Sequence, residues 1–131
     1  MPASNYVKSN SLNFWARGQN VGNPTNVYAA LFVTNPTAAN TGTEVAGGGY
    51  QRQIAVFTAP AISGDAAMIQ NTSAITYPQL SYNVGTAAYV GIMDAPTGGN
   101  LLYYEALPTS INLLQGYTPY WAAGELKITC K

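Results

Sequence analysis

The sequence contains no histidine, and this absence removes the commonest general base, the usual catalytic triads and the usual zinc ligand. The five acidic residues are dispersed along the chain, and no loop has the ligand spacing of a calcium site. Asp94 and Glu105 are a candidate acid/base couple across a hairpin, but solvated charges at strand ends are the strongly favoured interpretation. We therefore predict a non-enzymatic protein with no catalytic residues, no metal site and no cofactor.

Other absences narrow the class further. Cys130 is the sole cysteine, so no intrachain disulfide can form, which fits assembly in a reducing host cytoplasm. The five basic residues are scattered and are balanced by five acidic ones, which argues against nucleic-acid binding. No apolar run approaches the length of a membrane span, and residues 1–10 lack the apolar core of a secretory signal. We expect neither nucleic acid nor membrane among its partners.

Charge is scarce overall. Charged residues make up 8 % of the chain, against roughly 25 % in ordinary globular domains. Hydrophobic residues make up 47 %, so the chain has enough apolar material for a core. Since surface charge keeps free proteins apart in solution, we infer that much of this surface is covered by partners in the working state. The alternative is a monomer with a polar, uncharged surface.

Short β-strands are the main structural prediction. Glycine and proline interrupt the chain at short intervals, and runs rich in Val, Ile, Tyr, Phe and Thr lie between them. Residues 26–34 are apolar on both faces, which predicts a central strand covered on both sides. The turn-rich residues 94–100 predict a hairpin. The predicted strands are 26–34, 50–58, 66–70, 74–78, 86–93, 100–107, 110–114 and 119–129. About eight strands at such spacings predict an all-β fold, an antiparallel β-sandwich of jelly-roll or immunoglobulin-like type.

One short N-terminal helix is also predicted. Residues 10–17 offer Ser11 as N-cap, an apolar stripe, and Gly18 as the stop. Residues 1–10 are interpreted as an N-terminal arm that orders on a partner, and residues 11–131 as a single β-sandwich domain.

The most distinctive stretch is 42–53, GTEVAGGGYQRQ. Its three consecutive glycines permit positive φ and close backbone approach, and Tyr50 then begins a strand. Glu44 and Arg52 carry opposite charges in a chain with few charges, and we predict that they pair bidentately and fix the loop to the sheet. The alternative is two unpaired surface charges.

This stretch belongs to an ordered set of blocks. The set comprises Arg17-Gly18, PTNVYAALFVTNP (24–36), GTEVAGGGYQRQ (42–53), NTSAITYP (71–78), VGIMDAPTGGNLL (90–102) and GELKIT (124–129). Together the blocks resemble a family of small virion proteins of tailed bacteriophages, loosely described as structural or tail-fibre proteins. The resemblance covers nearly the whole chain, although Asn83-Val84-Gly85-Thr86 stands where the family pattern has a Trp-Gly.

The resemblance implies a structural protein of the virion, and it carries no catalytic residues. Our leading expectation is a capsid decoration (cement) protein that clamps the major capsid protein. The alternative is a tail-fibre or baseplate component, either an adaptor or a receptor-binding module, and a carbohydrate-binding module or small hydrolase ranks below both. In each virion case the partners are other virion proteins, and we expect a homo-oligomer. The candidate loop and interface residues are Gly47, Gly48, Gly49, Tyr50, Asp94, Asn100, Trp15, Trp121 and Tyr6.

Overall fold

The computed structural model describes residues 1–130, and in that range it contains one helix and nine strands in three antiparallel sheets. This architecture confirms the predicted all-β class with a short helix near the N-terminus. The elements are α1 (Asn5–Arg17), β1 (Val27–Phe32), β2 (Gln53–Ala55), β3 (Ala61–Ser63), β4 (Ala66–Gln70), β5 (Ile75–Thr76), β6 (Gly85–Met93), β7 (Leu101–Leu113), β8 (Tyr120–Trp121) and β9 (Lys127–Cys130).

The largest sheet has the strand order β2-β1-β6-β7. Strand β1 lies inside it, and both of its faces are covered as its sequence predicts. Ala29 and Leu31 belong to the main core, whereas Ala30 and Phe32 belong to a second buried cluster on the opposite face. An all-apolar strand in a chain with so few charges therefore marks the centre of the fold.

Strands β6 and β7 form the predicted hairpin, with Met93 paired to Leu101. The sequence predicts separate strands at 100–107 and 110–114, but the structure contains one strand across both. Proline cannot donate to a ladder and is tolerated on edge strands and at bulges. Pro108 meets both conditions, because β7 is an edge strand and its register with β6 shifts between the Tyr89–Ala106 and Ala87–Ile111 pairs.

The smaller sheets have the orders β3-β4-β9 and β5-β8. The predicted strand at 119–129 is wrong as a single element, because β8 and β9 belong to different sheets. A turn separates them, and the buried side chain of Asn71 holds that turn. Its amide donates to the carbonyl of Ala122 at 3.0 Å, and its oxygen accepts from the amide of Leu126 at 2.9 Å.

The predicted strand at 50–58 is also shorter than expected. Strand β2 keeps only Gln53–Ala55, and Phe57 then bridges to Asn71 outside the main sheet. Strand β3 was not predicted, and all three of its residues are exposed. A strand without a buried face leaves no alternation for sequence reasoning to detect.

The helix begins earlier than predicted. Ser4, and not Ser11, is the N-cap: its hydroxyl accepts from the amide of Val7 at 3.3 Å and donates to the carbonyl of Leu101 at 2.5 Å. Gly18 ends the helix in the left-handed conformation, as predicted. The proposed boundary at residue 10 falls inside α1, and the role of residues 1–10 on a partner stays a prediction.

The main core joins the sheets. Ile75 of β5 and Ile128 of β9 lie in the same buried cluster as Leu31 and Ile92 of the large sheet. Burial of this apolar surface is the principal stabilising contribution. Within residues 1–130, every buried side-chain nitrogen or oxygen has a hydrogen-bond partner.

Candidate functional site

Glu44 and Arg52 form a bidentate ion pair at the end of β1. Arg52 Nη2 lies 2.7 Å from Glu44 Oε1, and Arg52 Nε donates to Glu44 Oε2 at 2.8 Å. Glu44 reaches this position because it bridges to Phe32, so the chain after the β1 turn returns alongside the strand. The Arg52 side chain is 8 % exposed and that of Glu44 is 24 % exposed, so the pair is partly shielded from solvent screening.

Arg52 also binds the β6–β7 hairpin loop, residues 94–100. Its Nη1 donates to the carbonyls of Ala95 and Gly98, each at 2.8 Å. The loop is closed from within by Asp94, whose carboxylate accepts from the Asn100 backbone at 2.7 Å and from its side-chain amide at 3.0 Å. One guanidinium therefore joins two loops that lie more than forty residues apart in sequence.

Tyr50 connects this ion pair to the centre of the sheet. Its hydroxyl donates to Glu44 Oε2 at 2.9 Å and accepts from the backbone amide of Leu31 at 2.8 Å. We call Glu44, Tyr50 and Arg52 the clamp. Burial raises the pKa of Tyr50 far above its ordinary value, and the neighbouring Glu44 carboxylate raises it further. The hydrogen bond to Glu44 raises the pKa of Arg52.

Ring stacking links Tyr50 to a second tyrosine, the buried Tyr77. The Tyr50 ring stacks on that of Tyr77, with centroids 6.0 Å apart. Tyr77 donates to the carbonyl of Ala29 at 3.0 Å and accepts from the indole N–H of Trp121 at 3.2 Å. Burial raises the pKa of Tyr77 as well. These tyrosines stay protonated and serve as buried hydrogen-bonding groups.

Three glycines lie in the loop between Glu44 and Tyr50, and they allow this loop to pack closely against its neighbours. Gly47, Gly48 and Gly49 all have positive φ. A Cβ on Gly48 would lie 2.8 Å from Cγ1 of Val84, and the Gly48 carbonyl accepts from the amide of Ser81 at 2.9 Å. The loop thus fits tightly against the segment before β6, which is a structural role.

The predicted aromatic candidates do not form one site. Tyr6 and Trp15 lie on α1 and line a hollow of about 510 Å³ between the helix and residues 21–24. Trp121 lines a different hollow, of about 390 Å³, beside β7. The candidate couple of Asp94 and Glu105 is likewise separated, because Asp94 lines the first hollow and Glu105 the second.

The second hollow is lined in part by residues that the sequence did not single out. These are Leu107 and Pro108 of β7 and Glu125, which line it together with Glu105 and Trp121. Pro108 could have indicated this hollow from the sequence, because a proline within a run of strand-forming residues marks an edge strand or a bulge.

Metal-binding clusters, membrane-spanning helices and cysteines are further features of interest among residues 1–130. Residues 1–130 contain no group of three or more His, Cys, Asp or Glu side chains placed to hold a metal ion. The helix in this range lacks the length and apolarity needed to cross a bilayer. Cys130 is exposed and unpaired in this part of the chain.

A comparison with models of protein families identifies a match over nearly the whole chain. The family model described as Podophage GP4 fiber I protein gp80 matches residues 2–129. No curated protein matches the chain significantly. The family match includes both the clamp and α1.

Proposed function

This chain belongs to the family of Podophage GP4 fiber I protein gp80, and from that premise we propose that it is a structural subunit of a phage tail fibre that works by assembly. The family is one of phage fibre and structural proteins, so association with other virion components follows from membership. The match supports the tail-fibre alternative better than the expected capsid decoration protein.

The clamp supports this function through rigidity. A subunit that assembles in repeated copies gains from loops held in one geometry, because less conformational freedom is lost at each contact. Arg52 uses three of its nitrogens to hold two loops against β1, and Asp94 closes the hairpin loop. Charge-assisted bonds in a partly buried setting are the strongest available for this purpose.

The surface supports assembly as well. Four large apolar side chains project from α1, namely Tyr6, Leu12, Phe14 and Trp15, and none of the helix residues is buried. Exposed apolar residues grouped on one element are typical of interaction surfaces. We propose that this surface is covered in the virion.

A non-enzymatic role is part of the proposal. Without histidine the chain has no ordinary general base. In the clamp, the Glu44 carboxylate is already bound by Arg52 and Tyr50. A carboxylate occupied in this way is a poor acid or base.

The test is the location and copy number of the protein in purified particles. Tails and DNA-filled heads are separated, and the protein is quantified in each against the major capsid protein by mass spectrometry. A fibre subunit is expected in the tail fraction in tens of copies per particle or fewer. Recovery of the protein with the heads in hundreds of copies would support the capsid decoration hypothesis and overturn this proposal.

A further inference from the structure

Helix α1 contacts the rest of the fold through Val7, which packs against the main core, but four of its large apolar side chains are exposed. Leu12 is 66 % exposed and Trp15 is 81 % exposed, and no residue of the helix is buried. Isolated helices of this length are marginal in water and normally gain their stability from packing. Lys8, Leu12 and Trp15 are spaced four and three residues apart and therefore share one face. We call these three residues the α1 stripe.

All charged residues in the N-terminal third of the chain are basic. Residues 1–43 contain Lys8 and Arg17 and no acidic residue. Both side chains are exposed, and the Glu44–Arg52 pair is the sole ion pair among residues 1–130. The cations of α1 thus have no partner of opposite charge within the described chain.

A complementary surface lies beside the bulge of β7. The hollow of about 390 Å³ has apolar walls formed by Leu107, Pro108 and Trp121, and Glu105 and Glu125 also line it. No lysine or arginine of residues 1–130 lines this hollow. We call it the β7 groove. Both carboxylates belong to exposed residues, and neither has a cationic partner in the described part of the chain.

We propose that the α1 stripe of one copy of this chain docks in the β7 groove of the next copy. Leu12 and Trp15 lie against the apolar walls, and Lys8 faces the two glutamates. An amphipathic helix in an apolar groove is a recurrent mode of protein recognition. This inference rests on the proposed function, because repeated contacts between copies are what build a fibre.

The α1 stripe supplies part of the area of such a contact. The exposed parts of Leu12 and Trp15 amount to roughly 300 Å², given the 150–250 Å² of a typical aromatic side chain. A stable interface covers about 800 Å² on each partner. Lys8 and its neighbours on the same face of α1 add polar area, and opposite charge directs the contact toward Glu105 and Glu125.

The contact is head-to-tail, because the α1 stripe and the β7 groove are different surfaces of one chain. Such contacts close into a ring or continue as a filament, according to the rotation between copies. Each copy offers one stripe and one groove. A copy that lacks its stripe can therefore still accept the helix of another.

Mixing two variants of the full-length chain tests this geometry. The stripe variant is Leu12→Ala with Trp15→Ala, and the groove variant is Glu105→Lys with Glu125→Lys. Wild type is expected to form concentration-dependent oligomers by light scattering, and each variant alone to bind itself roughly thirtyfold more weakly. Native mass spectrometry of the mixture should show a 1:1 dimer of the two variants.

Matched controls separate docking from unfolding. Ile62→Ala removes an apolar side chain that is 76 % exposed on β3, and Asp65→Lys reverses a single carboxylate away from the groove. Both controls should oligomerise like wild type, and all variants should keep the wild-type circular dichroism spectrum. The Lys8→Glu variant alone should associate more weakly than wild type. Mixing the Lys8→Glu variant with the groove variant should restore association.

Three results would overturn the proposal. These are a monomeric wild type at its highest soluble concentration, no mixed dimer from the two variants, or a glycan or another virion protein bound in the β7 groove of a monomeric chain. None of them affects the tail-fraction test, so this inference and the proposed function can fail separately.

Discussion

The clamp and α1 are opposites in how they use their side chains. In the clamp, every charged atom of Glu44 and Arg52 is occupied by a partner within the chain, and Tyr50 ties both to β1. In α1, the large apolar side chains and both cations face outward. Buried polar groups of this chain are thus bonded within the chain, whereas α1 presents four large apolar side chains and two cations to its surroundings. We interpret the first region as the rigid support and the second as the surface for contact.

The largest expected effect comes from breaking the clamp with Arg52→Ala. The substitution leaves the Glu44 carboxylate without its cation and removes the donor to two loop carbonyls, so we expect a loss of about 3 kcal/mol in the free energy of unfolding. Urea titration measures it. Arg17→Ala is the control, since Arg17 is exposed on α1. Equal stabilities of the two variants would contradict the assigned difference between the regions.

Alkaline pH should weaken the clamp region next most strongly. The pKa values of Tyr50 and Tyr77 are raised above their ordinary value of 10.0 in the folded chain. Their contribution to the free energy of unfolding is therefore complete below pH 10 and declines above it, because unfolded tyrosines ionise there and the buried ones do not. Above pH 10, each of the two tyrosines should lower the free energy of unfolding by about 1.4 kcal/mol per pH unit. Urea titrations at successive pH values above 10 should show a shallower decline for Tyr50→Phe, and parallel declines would contradict this.

A smaller effect is expected where α1 joins the body. Ser4→Ala removes the N-cap of α1 and its bond to β7, and we expect a loss of about 1 kcal/mol. Thermal unfolding of this variant beside Ser11→Ala checks the assignment, since Ser11 is exposed within the helix. A larger loss of stability for Ser11→Ala than for Ser4→Ala would contradict the helix start at Ser4 and favour the start predicted at Ser11.

The smallest effect on stability should come from the residue most exposed on α1. Trp15→Ala should change the free energy of unfolding by less than about 0.5 kcal/mol, because the indole is 81 % exposed. The same variant should lose association with other copies. A clear loss of stability in the isolated chain would mean that Trp15 packs within its own chain.

Local patterns predicted much of the large sheet. The apolar faces of β1, the turn residues between β6 and β7, and the opposite charges of Glu44 and Arg52 are all visible within short stretches of sequence. Each corresponds to an element or a pair that the structure contains. Short-range signals suffice when the partners are close in sequence or when an element is buried on both faces.

Long-range partners account for what the sequence did not predict. The helix begins at Ser4 because its hydroxyl also binds Leu101, ninety-seven positions away in sequence. The last predicted strand is divided because Asn71, about fifty positions earlier, binds the turn between β8 and β9. The β7 groove likewise needs β7 and residues 119–126 to meet in space. No pattern within one segment contains such information.

Hydrogen–deuterium exchange of the free chain and of the purified fibre tests the central claim most directly. We predict that the amides around the clamp are protected in both samples, while those of α1 exchange rapidly in the free chain and become protected in the fibre. Rapid exchange of α1 in both samples, or equal protection of α1 and the clamp in the free chain, would contradict the account.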